Sequence, residues 1–478
     1  MCVVREGYAS AAAAAGVKTL FCGGFGRRFF IYIIYLVLFR TVKTGTPDPI
    51  RHSKNAAAPR FPRAHDRARN LPSLWVHRID VPTTTNKKAR RQMKKVQLFT
   101  VLAAMTACAQ QACAVDLKAG DWTVNVGGIV NAYYTAVSCS GDAVGGLALA
   151  GKALGCGGED HRTTIGNGLL PSGLVTSVAS TQGGYDVTAK IGIYAATATD
   201  SAIAQNSTVD VRQAFFTFGR ADLGTVKLGR DYGIFGANAI LGDMTLVGAG
   251  APVQATQRGR VTLGHIGAGY SYLGTYGQIV YSAPKNASGI GFDVGVMSPV
   301  SDTPVIAGPR YATRSSPQVQ ARLSVEHDGF KAWLGAKSQR FESQAAGVDD
   351  LTMHGFEAGA SCQLGAAGLL VNAQTGRALG ILSDADQGDV RSKNFLVQGT
   401  FKTSDALKLG LSWGRSANDD NTAGTGGLKS NANLTAGAYY ALNSAITLVA
   451  EIGQTRSKGF GGATARMNGG SVGGIVFF

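Results

Sequence analysis

The feature that constrains this chain most is a two-residue rhythm that begins near Trp122 and keeps returning until the C-terminus. Val319, Ala321, Leu323 and Val325 alternate with Gln320, Arg322, Ser324 and Glu326, so an extended segment there has one apolar and one charged face. The pattern recurs in Ile290, Phe292, Val294 and Val296, in Leu407, Leu409, Leu411 and Trp413, and in Ile446, Leu448, Ala450 and Ile452. Successive side chains of a strand point to opposite faces, so this rhythm specifies strands rather than helices. Sixteen such segments can be counted, each of about ten residues. The first lies at 122–135, the second at 169–179 and the last at 470–478. Turn-forming Gly, Asn, Asp and Ser separate them.

An even number of strands of about 9–11 residues suits a bilayer, which a strand tilted by about 45° crosses in that length. In hydrocarbon every backbone N–H and C=O must find a partner within the protein, and only closure of the sheet provides that. The expected fold class is therefore all-β, a transmembrane antiparallel β-barrel of about 16 strands. Link lengths agree: those around 182–184, 221–224, 285–288, 328–329 and 443 are short, and those at 136–168, 232–275 and 417–431 are long. Short turns face the periplasm and long loops face outside in such barrels. A soluble sandwich or solenoid would instead bury its apolar faces against each other.

The net charge of +16 would suggest a nucleic-acid partner if it were spread evenly. It is not. Residues 1–114 hold 19 basic and 4 acidic side chains, whereas residues 115–478 hold 27 and 26, so no nucleic acid is expected as a partner. Within the front end, Met93-Lys94-Lys95, the apolar run Val96–Ala107 and Ala112-Cys113-Ala114 form the three regions of a signal peptide, predicting 93–114 as signal and 115–478 as the mature chain. Residues 1–92 read as a non-native upstream extension, with Met93 as the initiator. Their Pro/Arg-rich patches support this, and the apolar run Phe29–Phe39 is too short to span a membrane.

Three landmarks carry a family likeness. The chain ends Gly473-Gly474-Ile475-Val476-Phe477-Phe478, an alternating strand closed by an aromatic residue. Upstream, the run Val209-Asp210-Val211-Arg212-Gln213-Ala214-Phe215-Phe216-Thr217-Phe218-Gly219 is followed by Leu223-Gly224-Thr225-Val226-Lys227-Leu228-Gly229-Arg230-Asp231-Tyr232-Gly233. Together these resemble the Gram-negative trimeric outer-membrane porin family. The resemblance implies a homotrimer in the outer membrane of a Gram-negative bacterium, in contact with outer-membrane lipid, with Phe478 read by the outer-membrane assembly machinery. It also implies that the third loop folds inward, so that 232–252 forms a constriction faced from the wall by Arg230. Arg212, Arg230, Asp231, Asp243, Arg258 and Arg260 would then set up a transverse field across the waist, which orders water and favours polar solutes. The acidic side of that field is thin, with Asp243 the only acid in the loop beyond Asp231. Along the lumen the expected charges are Lys190, Arg322, Glu326 and Lys331, with Lys337 and Lys408 against Asp186, Asp293 and Glu451, a slight lean towards anions that depends on strand register.

Cys139 and Cys156 fall in the first long link, where a disulfide between them is expected in an oxidising compartment, while Cys362 stands alone on a strand. No cysteine pair has metal-type spacing, so no metal site and no cofactor is expected. His161, His265, His327 and His354 are scattered, and the Gly469-Gly470-Ser471-Val472-Gly473 match opens a strand, whereas a nucleophile elbow turns from strand into helix. The predicted function is passive diffusion of small hydrophilic solutes and ions through a water-filled pore, without enzymatic activity. The alternative is a substrate-specific binding channel or surface receptor on the same barrel.

Overall fold

The computed structural model describes residues 115–198, 209–252, 262–301, 311–313, 315–344, 346–421 and 425–478. The upstream extension and the signal peptide expected at 1–114 lie outside the described residues.

Sixteen strands close on themselves: β1 Trp122–Gly141, β2 Ser172–Gln182, β3 Tyr185–Ala195, β4 Val209–Arg220, β5 Gly224–Tyr232, β6 Thr275–Ser282, β7 Ile290–Met297, β8 Gln318–His327, β9 Phe330–Ser343, β10 Leu351–Leu364, β11 Ala367–Arg377, β12 Arg391–Lys402, β13 Leu407–Asn418, β14 Leu428–Ala441, β15 Ile446–Gly459 and β16 Thr464–Phe477. Each pairs antiparallel with the next, and β16 returns to β1 in the register Phe477↔Ile129 to Ala465↔Gly141. Three short strands, Val115–Ala119, His161–Gly166 and Tyr311–Thr313, join the same sheet. The first of these takes over the edge of β1 where the C-terminus stops, pairing Val115 with Val126 while Gly128 N donates to the Phe478 carbonyl at 2.6 Å. No described helix is long and apolar enough to cross a membrane.

The structure corrects several strand limits. β1 continues to Gly141 rather than ending at 135, β16 begins at Thr464 rather than 470, and β2 is shifted by three residues to Ser172–Gln182. Strands run on beyond the apolar band towards the long loops, where the residues are polar and the alternation fades. Cys139 accordingly sits on β1, not in the loop, and is joined to Cys156 by a disulfide.

The outward face is apolar and exposed: Phe216, Ile279, Leu334, Phe356, Leu411, Ile452 and Val472 all lie on it. Cys362 shares that face, opposite Phe330 on one side and Leu369 on the other. A charged side chain placed there at mid-bilayer would cost about 2–4 kcal/mol. The largest cluster of buried apolar residues lies on the other side of the sheet, and it is built mostly from loops.

Candidate functional site

Residues 233–252 and 262–274, the described parts of the third long loop, turn into the barrel and run along its inner wall. Ile234 N and Phe235 N donate to Gln320 Oε1 on β8 (2.7 and 2.9 Å), and Gly236 N donates to Glu357 Oε2 on β10 (3.0 Å). Met244 N reaches Gln398 Oε1 on β12 (2.6 Å), and Ala249 N and Gly250 N both reach Glu451 Oε2 on β15 (2.7 and 2.8 Å). Tyr133 on β1 donates its hydroxyl to the Val247 carbonyl at 2.5 Å. On the way back, Gly269 N donates to Ser416 Oγ on β13 (3.1 Å) and Ser271 N to Gln374 Oε1 on β11 (2.9 Å).

The loop's composition explains its position. Phe235, Ala239, Ile240, Leu246, Leu263 and Ile266 are buried, and most of them pack with Trp333, Leu370 and Leu396 of the wall, each buried large side chain contributing on the order of 1.5–3 kcal/mol. Its backbone donors, withdrawn from water, find the wall's carboxylates and amides instead. Two glycines permit the close approach. A Cβ on Gly248 would meet the Glu451 carboxylate at 2.1 Å, and one on Gly414 of β13 would meet the Ala268 carbonyl at 2.1 Å.

Asp243 is a knot inside this loop rather than a charge facing the waist, which corrects the sequence expectation. Its carboxylate accepts from Thr245 N (2.9 Å), the Thr245 hydroxyl (2.8 Å), the Tyr270 hydroxyl (2.6 Å) and His265 Nδ1 (3.1 Å), tying the outgoing arm to the returning one. Burial alone would raise its pKa, but His265 and these donors outweigh burial and hold it below the usual value. A carboxylate this fully engaged has little field left for a passing solute.

The inward faces of β2–β5 are different. Ser177, Thr188, Lys190, Phe215 and Lys227 are only partly buried. Lys227 Nζ meets Asp231 Oδ2 at 2.5 Å, Gln213 Nε2 donates to Asp231 Oδ1 at 2.8 Å, and Lys227 also lies 5.4 Å from the Phe215 ring centre. Arg212 points the same way, pairing with Asp210 at 3.0 Å and covering the Tyr194 ring at 5.9 Å. A bulge makes this possible: Gly192 pairs with Gln213 but Ile193 pairs with Val211, so Arg212 is the extra residue and it and Gln213 both turn inward.

Arg230 does not join them. It lies opposite Ala214 and Gly277, in the parity of Leu228 and Ile279, so it faces away from the lumen. There its Nε donates to the Val211 carbonyl (2.9 Å) and its Nη2 to Thr275 Oγ1 (3.3 Å), and its Nη2 lies 3.9 Å from Asp210, the carboxylate that Arg212 holds more closely. Adjacent residues of a regular strand cannot share a face, and the inward position belongs to Asp231. Arg258 and Arg260 lie outside the described residues.

Further towards the short turns, Arg322 reaches across to Asp293 (2.7 Å) and to Asn238 of the loop (3.3 Å). Glu326 pairs with Lys285 at 2.7 Å and stands opposite Lys331 in the ladder, next to the Asp328-Gly329 turn. Lys337 is consumed by Asp384 at 2.5 Å and by the Phe235 ring at 4.9 Å, while Lys408 lies over the Tyr439 ring at 5.1 Å. Glu451, expected as a lumen charge, is fully occupied by the loop and by the Tyr439 hydroxyl (2.7 Å). Sequence reasoning missed Gln320, Glu357, Gln374 and Gln398 as anchors and Lys227 as a lumen cation; the available signal was their position on the polar parity of otherwise apolar strands. Among the described residues no group of His, Cys, Asp and Glu could hold a metal ion.

A family model described as Gram-negative porin matches residues 99–459. Among solved structures, the chain is similar to the outer membrane channel DcaP of Acinetobacter baumannii, with a TM-score of 0.56 and 17% identity over 76% of this chain and 99% of that one. It is also similar to the anion-selective porin from Comamonas acidovorans, with a TM-score of 0.52 and 16% identity over 75% and 100%. For OmpF of Salmonella typhi in complex with daunomycin the TM-score is 0.51 and the identity 16%, over 76% and 100%. At these identities the likeness is one of fold. No curated protein matches by sequence.

Proposed function

The chain belongs to the Gram-negative porin family and is an outer-membrane channel for passive diffusion of solutes, and we propose that its waist lies between the inserted loop and the inward faces of β2–β5. One observation carries this reading: the described loop spends its backbone donors on β8, β10, β11, β12, β13 and β15, leaving Lys190, Arg212 and Lys227 half-buried on the other side. Of the expected constriction residues, Arg212 and Asp231 remain in this proposal. Three cations against Asp231 and Asp210 give the path a positive lean, so small anions pass more readily than cations of equal size.

The lumen charges are read as electrostatic lining, with no catalytic step. Three copies associate, with the outward apolar residues Val124, Val126, Val476 and Phe478 beside the β16–β1 seam as the interface; sedimentation in detergent would show a single barrel if this is wrong. Phe478 also serves as the assembly signal, and residues 93–114 direct export. The central test is the reversal potential in a salt gradient. The wild-type channel is expected to favour anions, and Lys190→Glu to shift the potential towards cations; an unchanged potential would put the conduction path elsewhere.

A further inference from the structure

The outward face of the barrel carries a row of cations at the long-loop end of β13–β16. Arg415 lies opposite Ala432, Ala432 opposite Arg456, Arg456 opposite Arg466 and Arg466 opposite Ser140, so residues of five adjacent strands stand at one height. They share their face with Trp413, Leu434, Ile452 and Val472, all exposed. Neighbouring strands are about 4.8 Å apart, and like charges directly opposite one another destabilise a sheet. Arg456 and Arg466 are such a pair.

Three other outward cations at this end have carboxylate partners: Lys393 with Asp419 at 2.8 Å, Arg340 with Asp350 at 4.0 Å, and Arg377 with Asp389. Arg415, Arg456, Lys458 and Arg466 make no ion pair with a carboxylate among the described residues. The Nε of Arg456 is closed off from solvent and has no hydrogen-bond partner, so a buried donor is left waiting. Because Ala432 is small, a cleft of about 450 Å³ opens between Arg415 and Arg456, floored by Trp413 and Leu434, while Arg466 stands beside it, opposite Arg456 in the ladder. It shares Arg415, Arg456 and Lys458 with a second cleft of about 330 Å³ that runs on to Lys429 and Phe460.

We propose that this cleft binds a phosphorylated lipid of the outer leaflet, with its phosphate held by Arg415 and Arg456, which line it, and reached by Arg466 from beside Arg456, and with its acyl chains lying on Trp413 and Leu434. Guanidinium forks match phosphate oxygens two at a time, and an anion between Arg456 and Arg466 turns their repulsion into a bridge. The apolar floor selects a lipid over a free anion. The level is right as well, since the row sits where the apolar band meets the long loops, the height of a headgroup in a barrel whose long loops face outside. Lys458 and Lys429 extend the positive rim towards the loops.

The test uses the full chain purified in detergent and a bis-phosphorylated, acylated glucosamine disaccharide, with retained lipid counted by native mass spectrometry. Combining Arg415→Gln, Arg456→Gln and Arg466→Gln is expected to reduce retention by at least about tenfold, given that hydrogen bonds to charged groups are the strong ones. Arg466→Gln alone, at an exposed position, gives a smaller loss and guards against misfolding of the triple variant. Lys393→Gln leaves retention unchanged, and so does the triple variant leave single-channel conductance unchanged, because the cleft is outside the lumen; the channel reading is thereby tested separately. Equal retention of the dephosphorylated lipid, full retention by the triple variant, or displacement by equimolar inorganic phosphate would each overturn the proposal. So would a wild type that binds no lipid while the triple variant falls apart into single barrels, which would make the row an interface between copies.

Discussion

Strands β2–β5 and strands β8–β15 alternate with the same period, yet their inward residues do different work. On β8–β15 the inward Gln320, Glu357, Gln374, Gln398, Ser416 and Glu451 are sealed beneath the third loop, each accepting one or two of its backbone donors. On β2–β5 the inward Lys190, Arg212 and Lys227 keep partial access to water. A polar residue on the lumen side of a barrel strand is thus either a tether or a lining group. Its chemical type does not reveal which, since Glu451 holds the loop while Asp231, another buried acid, pairs with Gln213 and Lys227 of the wall.

The contrast can be broken most forcefully at Glu451. Glu451→Leu leaves Ala249 N, Gly250 N and the Tyr439 hydroxyl without their acceptor, and each orphaned buried donor costs about 1–3 kcal/mol. The loop should leave the wall, and single-channel conductance should rise several-fold with more current noise; unaltered conductance would mean the tether is dispensable. On the opposite wall, Lys227→Gln should move the reversal potential towards cations while conductance changes by less than about twofold, because only the field along the path is altered.

Arg212 and Arg230 offer a finer comparison, eighteen residues apart in the chain and on opposite faces of the wall. Arg212→Ala is expected to reduce anion preference, and Arg230→Ala to leave both selectivity and conductance as they were; equal effects from the two would contradict the inward bulge. The smallest effect concerns the loop between β11 and β12, which packs beside the third loop through Tyr272 N and the Ile381 carbonyl at 3.0 Å. Burial pushes Asp386 up to about 6, although its carboxylate accepts from the backbone of Ser383, Leu382 and Ile381. A carboxyl whose folded pKa exceeds its usual value binds its proton more tightly when the loop is closed. The closed loop is therefore most stable below pH 4 and loses that contribution as pH rises towards about 6. Hydrogen exchange at Ile381–Ser383, corrected for intrinsic rates, should quicken over this window in the wild type and lose the step in Asp386→Asn.

Much of this molecule was legible before folding. The strand count and the outward face followed from alternation, and Lys190, Arg322 and Lys331 were placed on the polar side by parity alone. Arg230 was misplaced because two adjacent residues, Arg230 and Asp231, were both assigned to the waist, which a regular strand forbids. Arg212 escaped the rule through a bulge that only the pairing of β3 with β4 reveals. Asp243 could not be read from its neighbours, since His265 and Tyr270, which absorb its charge, come 22 and 27 residues later.

Alternation is a property of the local backbone, so residues a few positions apart were enough to specify strands, their two faces and, by the need to pair every peptide group in lipid, a closed cylinder. The allocation of inward residues between loop and water is not local. Gln320 meets Ile234 across 86 residues and Glu451 meets Gly250 across 201, contacts that exist only after the cylinder has closed around the loop.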